Sequence, residues 1–420
     1  MDHERYVTHH SWGSRLRGSA CGAVAGELFF VGSFALLGWN EGRAVAETRA
    51  LNECAGAVRH VGCDAPPSDD GALVHASCAL TDVPTLLDGR FGAQARTPVL
   101  LRSVTALQWR ETDDEHCRKN KLGGGSTCTH DVTYSLDWTS SPISSAGFRS
   151  QAGHGNGAWA AESATFAPPA LHAGALLLPP ALQARLAAGP LPPLPFANTT
   201  LACGGADASS CGWQVDGQNG LYYHAGGSPG AAPTSGDLRV SWAASAVDAV
   251  SVIGVQSRGP DGNATLAPYF ARSGHSCFLL EPGLLPPEAM IAAAKARNAA
   301  ATWILRALGC VANFLGIRLF LQPLGVALDV VPFLGPFMSD VLEFGVGIAA
   351  ALLSLTLCAF TIAVAWIAVR PAVGVPLLLL SMAATGALVA ARERRRRAGG
   401  GRVAPGAAGE YSAELNELPA

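Results

Sequence analysis

Lysine is nearly missing from this chain. Three lysines stand against 26 arginines in 420 residues, the net charge is only −3, and charged residues make up 15% of the total. Nothing in that balance supplies the cationic surface that neutralises a phosphate backbone, so nucleic acid is not an expected partner. The arginine bias, with its abundant Ala, Gly and Pro, is what a GC-rich genome produces and carries no mechanism. Also absent are a phosphate loop, a dinucleotide fingerprint, a metalloprotease helix and any C-x-x-C pair, so no cofactor or zinc site is expected. One string, Gly226-Gly227-Ser228-Pro229-Gly230, matches G-x-S-x-G. A nucleophile elbow needs a helix after its serine, and Pro229 with Pro233 leaves a loop instead. His154, His224 and His275 are scattered without the paired spacing of a metal face. The chain therefore reads as non-enzymatic, with no catalytic residue to name.

What is present is unevenly placed. Of 11 cysteines, Cys21, Cys310 and Cys358 lie in apolar runs, whereas Cys54, Cys63, Cys78, Cys117, Cys128, Cys203, Cys211 and Cys277 lie in a polar middle segment. An even set confined there points to disulfides and an oxidising compartment. Both N-x-S/T sequons, at Asn198 and Asn263, fall in the same segment.

Four stretches approach the roughly 20 apolar residues that a hydrocarbon core of about 30 Å requires of a helix. They are 20–39, 302–321, 344–369 and 372–391. Between the second and third, 322–343 is too apolar for an ordinary loop and too broken by proline to span, which suggests an interfacial or re-entrant linker. Arg5, Arg15 and Arg17 precede the first stretch, and Arg392, Arg394, Arg395, Arg396 and Arg397 follow the fourth. Flanking arginine prefers the cytosol. Residues 1–19 and 392–420 are then cytosolic and 40–301 forms a lumenal domain. A signal peptide with cleavage at Ala44-Val45-Ala46 is the rival, but its apolar region usually runs about 7 to 15 residues, and this run is longer. The first stretch reads as a retained anchor.

Directly after that stretch stands Asn40-Glu41-Gly42-Arg43-Ala44, and here the chain resembles the transmembrane protein 43 family, also called LUMA. The resemblance continues through Leu73-Val74-His75, Gln108-Trp109, Tyr134-Ser135 with Trp138, Tyr222-Tyr223-His224, Gly236-Asp237-Leu238-Arg239-Val240-Ser241, Pro268-Tyr269-Phe270 and Thr302-Trp303. It implies a four-span protein of the endoplasmic reticulum and inner nuclear membrane with an uncleaved first helix and one large lumenal domain. It also implies a scaffold that self-associates as a homo-oligomer, in contact with membrane lipids and other nuclear-envelope proteins. Lamins and emerin are partners in animals, and carry over only to a lineage that has them.

Within 40–301, alternation at Val132, Tyr134, Leu136 and Trp138, and again at Leu238, Val240 and Trp242, marks half-buried strands. Further strands are expected at 72–80, 98–110, 220–225, 247–257 and 276–281, and a Pro-interrupted helix at 171–188. The expected fold is a multipass α-helical membrane protein with a lumenal α+β, mainly antiparallel domain. Cys117 and Cys128 flank a glycine-rich tip and could pin a hairpin. Cys54 with Cys63, and Cys203 with Cys211, could close small loops. Glu27 and Arg306 lie inside apolar stretches, where ionisable groups are functional candidates unless they snorkel to an interface. On the expected topology they sit toward opposite faces and do not pair. Together with 322–340 they are the only basis for an alternative reading as a transporter or lipid-handling protein. Small residues four apart, Gly345 with Ala349 and Gly347 with Ala351, would permit close helix packing. The arginines at 392–397 act as a positive-inside stop, an anionic-lipid patch or an import-like signal, and the tail beyond reads as disordered.

Overall fold

A computed structural model of the chain describes residues 2–120, 123–189, 191–196, 213–217, 220–226, 232–259, 262–329 and 334–369, with isolated positions at 375, 376, 379, 383, 390 and 394. Four helices are seen among them: α1 (Trp12–Ala57), α2 (Pro180–Leu186), α3 (Pro287–Leu328) and α4 (Leu334–Val369). Three of these, α1, α3 and α4, are long and apolar enough to cross a membrane. The expected fourth span, 372–391, lies outside the continuously described residues.

The strands form two main sheets. Five strands close a ring: Leu73–Thr81, Ala249–Arg258, Ala264–Ala267, Leu176–Leu177 and His172–Ala173, with Leu279–Pro282 and Arg59–His60 added outside the ring. Alternation turns Val74, Ala76, Val250 and Val252 inward, where they meet Leu171, Leu178 and Leu182. The other sheet runs Asp2–His10, Ser126–Thr139, Leu100–Lys119, Leu238–Ala244, Leu221–Tyr223 and Trp213–Val215. Its core holds Phe91, Leu100, Trp213, Leu238 and Trp242. Buried there too is Asp88, which accepts from Arg102 at 2.8 and 2.9 Å and from Trp242 Nε1 at 3.0 Å. Pairing is mainly antiparallel, as the alternation implied.

Several boundaries differ from the sequence reading. Helix α1 does not end where its apolar stretch ends. It continues unbroken through Asn40-Glu41-Gly42-Arg43, because the following segment is rich in Ala, Glu and Arg and has no proline. The segment expected as a linker, 322–343, is helical wherever it is described apart from Asp329. α3 absorbs Pro323 and runs to Leu328, and α4 begins at Leu334. The expected helix 171–188 is half strand: His172–Ala173 and Leu176–Leu177 pair, and only Pro180 onward is helical, with proline in its first turn.

The largest difference concerns residues 1–19. Asp2–His10 is a strand, paired residue by residue with Ser126–Tyr134 from the middle segment. Its partner belongs to a hairpin in which Leu100–Lys119 and Ser126–Thr139 pair from Ala106↔Thr139 to Lys119↔Ser126. At about 3.3 Å per residue this arm is about 43 Å long. Its tip meets the far ends of the bundle: Arg15 donates to Gly124 O and, at 2.7 Å, to Asp329, which lies 3.8 Å from Lys119 Nζ. Assigning 1–19 to one compartment and all of 40–301 to another is incompatible with this pairing, since a bilayer cannot separate two strands of one sheet.

Helices α1 and α3 pack antiparallel along most of their length. Gly26 and Gly316 make the approach possible: a Cβ on Gly26 would lie 2.8 Å from Gly316 O and from Phe320 N. Among the α4 residues whose burial is described, the buried ones are Ala350, Ser354 and Cys358, four apart. The expected pairs Gly345–Ala349 and Gly347–Ala351 divide between faces, with Gly345, Ala349 and Ala351 exposed.

Candidate functional site at the head of the helix bundle

Because α1 stays helical, Asn40, Glu41 and Arg43 are carried on a rigid rod against α3, which presents Asn298, Thr302, Trp303 and Arg306. Glu41 is 2% exposed. Its carboxylate accepts Arg306 Nε at 2.6 Å and Nη2 at 2.7 Å, a bidentate pair. Trp366 Nε1 of α4 donates to the same carboxylate at 2.7 Å. The Arg306 guanidinium lies 4.8 Å from the Trp303 ring centroid and 5.9 Å from that of Trp366. One carboxylate thus joins three helices.

A turn away, Arg43 donates to Asn298 Oδ1 at 3.0 Å, Thr302 Oγ1 at 3.1 Å and Asn40 Oδ1 at 3.2 Å. Asn40 donates onward to Thr302 O at 3.1 Å, and Asn298 donates to Ala44 O at 2.9 Å. The space between these groups is about 170 Å³. Chemically this is a lock. The Glu41 carboxylate has donors on both oxygens, and Arg306 has its charge neutralised. Lower in the bundle, Asn313 is fully buried and donates to Ser33 Oγ at 2.9 Å.

Of the two intramembrane charges expected from sequence, Arg306 joins this site and Glu27 does not. Glu27 is exposed on α1, 14 residues before Glu41 and so about 21 Å away along the helix. Arg306 finds a different carboxylate, that of Glu41. Glu41, Arg43, Asn40 and Trp366 were not singled out as site residues by sequence. The signal that could have found them was the cluster Asn40-Glu41-Gly42-Arg43 at the end of an apolar run, facing an arginine buried in another.

Cysteines pair as Cys54–Cys277, Cys63–Cys78 and Cys117–Cys128. The hairpin pairing matches the expectation. The Cys54–Cys63 loop does not form, because α1 carries Cys54 into the core beside Cys277 while Cys63 faces the strand bearing Cys78. Cys203 and Cys211 lie outside the described residues, as do Asn198, the Ser228 loop, Arg392, Arg395, Arg396 and Arg397. Asn263 is exposed in the turn before Ala264–Ala267, and Arg394 is exposed. Among the described residues one trio could offer metal donors, His10, Glu115 and Cys128, but the disulfide occupies the Cys128 sulfur. His154 is held by structure, stacked on Tyr134 at 3.9 Å and bonded to Asp2 at 3.2 Å.

Comparison with known proteins places this geometry in context. A family model described as Transmembrane protein 43 matches residues 106–371. Transmembrane protein 43 of Rattus norvegicus is 28% identical over 375 residues, covering 85% of this chain and 86% of the relative. The Homo sapiens protein of that name is 28% identical over 372 residues, with the same coverage. The Drosophila melanogaster homolog is 27% identical over 363 residues, covering 85% of this chain and 91% of its own. No solved structure matches the chain. With a family model covering more than half the chain and relatives aligned along most of it, the chain belongs to the transmembrane protein 43 family.

Proposed function

We propose that the protein is a non-catalytic membrane scaffold that self-associates and organises other membrane proteins of the endoplasmic reticulum and nuclear envelope. The observation that carries this reading is the closure of the Glu41–Arg306–Trp366 site. A transporter needs a charge that can be released to a substrate, and here the buried charges are spent on holding three helices together. Support for association comes from the outward side of α4, where Gly345 and Ala349 are exposed beside Phe344, Ile348 and Leu352. Small residues between large apolar ones let a second helix approach closely in lipid.

The proposed topology keeps both termini cytosolic and the domain lumenal, with the flanking arginines as its basis. With α1 and α3 inserted, the charged arm (Arg110, Glu111, Asp113, Asp114 and Glu115) cannot remain beside them at hydrocarbon depth. This topology requires the Asp2–His10 strand, paired with Ser126–Tyr134 in the structure, to leave the arm on insertion. Partners in animals such as lamins and emerin belong to this reading only where the lineage has them. The test uses two differently tagged copies in native membranes. They are expected to co-purify, and Gly345→Leu with Ala349→Leu should lower the yield several-fold. Copies that never co-purify, even after cross-linking, would sink the scaffold reading.

A further inference from the structure

Beyond the lock, a cleft of about 820 Å³ opens between the strand ring and the polar extensions of α1 and α3. Its walls are mixed; the apolar part comes from Leu51 of α1, Leu186 and Leu191 of α2 and the loop after it, and Val247, Phe278 and Leu279 of the domain. Two guanidiniums and two carboxylates also line it. Arg297 lies 2.6 Å from Glu281, and Glu47 is within 3.8 Å of Arg43. That leaves Arg185, whose guanidinium has no hydrogen-bond or ion-pair partner among the described residues. Arg185 is exposed at the rim of the cleft; partial desolvation there and the neighbouring Arg297 press its pKa down, with Glu281 acting the other way, so its surroundings favour an added anion.

Position strengthens the case. Arg297 precedes Thr302, where the apolar stretch begins, by five residues, or about 8 Å of helix. The headgroup layer on each side of a bilayer is of similar depth, roughly 5–8 Å. With the apolar stretch from Thr302 set in the hydrocarbon core, the cleft begins at headgroup level and leads away from the membrane. Its volume falls in the range of about 300–1,000 Å³ typical of small-ligand sites, which suits one acyl chain.

We propose that this cleft binds a single-chain anionic amphiphile, with its phosphate or carboxylate on Arg185 and its chain against Leu51, Leu186, Val247 and Phe278. The ligand is held, not transported, and the site is independent of whether the protein self-associates. The shared chemistry is an anion on an apolar tail, and it could come from a lysophospholipid or a free fatty acid.

The test uses the full chain in phosphatidylcholine nanodiscs, titrated with lysophosphatidic acid, oleate, lysophosphatidylcholine of the same chain length and inorganic phosphate. Lysophosphatidic acid, oleate or both should bind saturably and at least about tenfold more tightly than lysophosphatidylcholine, as charge-assisted recognition requires. Arg185→Gln should bring the anionic ligands to the lysophosphatidylcholine level, and Ala246→Trp, which fills the cleft, should abolish binding. Each variant is compared with wild type for its ligand-free thermal midpoint. Equal affinity for charged and zwitterionic ligands would overturn the proposal. So would Arg185→Gln and Ala246→Trp variants that bind like wild type, or displacement by inorganic phosphate at equal concentration, which would make this a free-anion site.

Discussion

At the scale of single residues, the buried Glu41–Arg306 pair has the sharpest consequence. Replacing both charges by apolar groups of similar volume is often tolerated, whereas removing one strands the other. Arg306→Met should therefore destabilise the detergent-solubilised protein by about 3–5 kcal/mol, since it leaves a carboxylate with only Trp366 as donor. Glu41→Gln with Arg306→Met should recover part of the loss in a thermal unfolding series. A double variant no better than Arg306→Met alone would mean that the pairing itself is not what holds the helices. Titration bears on a second residue, His75. It is 1% exposed and its Nδ1 lies 2.9 Å from His60 Nδ1, while Nε2 lies 2.9 Å from Leu285 O, just before α3. Burial pushes its pKa below the usual value near 6.5, helped by His60 and opposed by the Leu285 carbonyl. The neutral ring is the folded form, so the unfolded chain binds more protons as pH falls. Stability from this group is full above pH of about 6.5 and is lost as pH drops through that value toward the lower folded pKa. Thermal midpoints should fall between pH 7.5 and 5.5, and His75→Gln should flatten that part of the slope.

At the scale of elements, the charged arm and α1 set the question of sidedness. Val7 and Thr129 are directly paired in the sheet. A Val7→Cys, Thr129→Cys variant should cross-link readily wherever the arm is docked on the N-terminal strand. In microsomes, with α1 inserted and the N-terminus cytosolic, the same pair should stay unlinked. Efficient cross-linking in intact microsomes would show that strand and arm share one side of the membrane, and the proposed topology would have to be redrawn. The strands themselves were legible: alternation at Val132–Trp138 and Leu238–Trp242 located them because one face of each is buried. Where Leu100–Lys119 leaves the core its residues become exposed and charged, and periodicity no longer says how far that strand extends. The extension of α1 was missed for a related reason. Hydropathy reports where a lipid-facing helix ends, while the helix itself ends where capping and propensity allow.

For the whole molecule, domain and bundle are joined by one cluster, in which Leu51, Leu73, Ile253, Cys277, Met290 and Ile291 pack together. Cys54–Cys277 ties its two sides across 223 residues of chain. By loop-closure entropy such a bridge stabilises by about 5 kcal/mol. A Cys54→Ser, Cys277→Ser variant should lower the thermal midpoint more than Cys63→Ser, Cys78→Ser, whose separation is 15 residues. The reverse order would mean that the junction is held by packing and not by the staple.

Some of this the sequence settled alone. Apolar length marked the three described helices that are long and apolar enough to cross a membrane, period-2 patterning marked an antiparallel β-rich domain, and the order of its motifs marked the family, because each is a local or linear property. The partners of Cys54 and Arg306 were decided only by the tertiary structure, as were the docking of residues 2–10 and the cleft beside Arg185. Each depends on which residues, far apart in the chain, α1 and α3 bring to one place. Spacing along the sequence does not encode that distance, because it emerges only when a rigid helix carries its side chains past a loop closure of more than 200 residues.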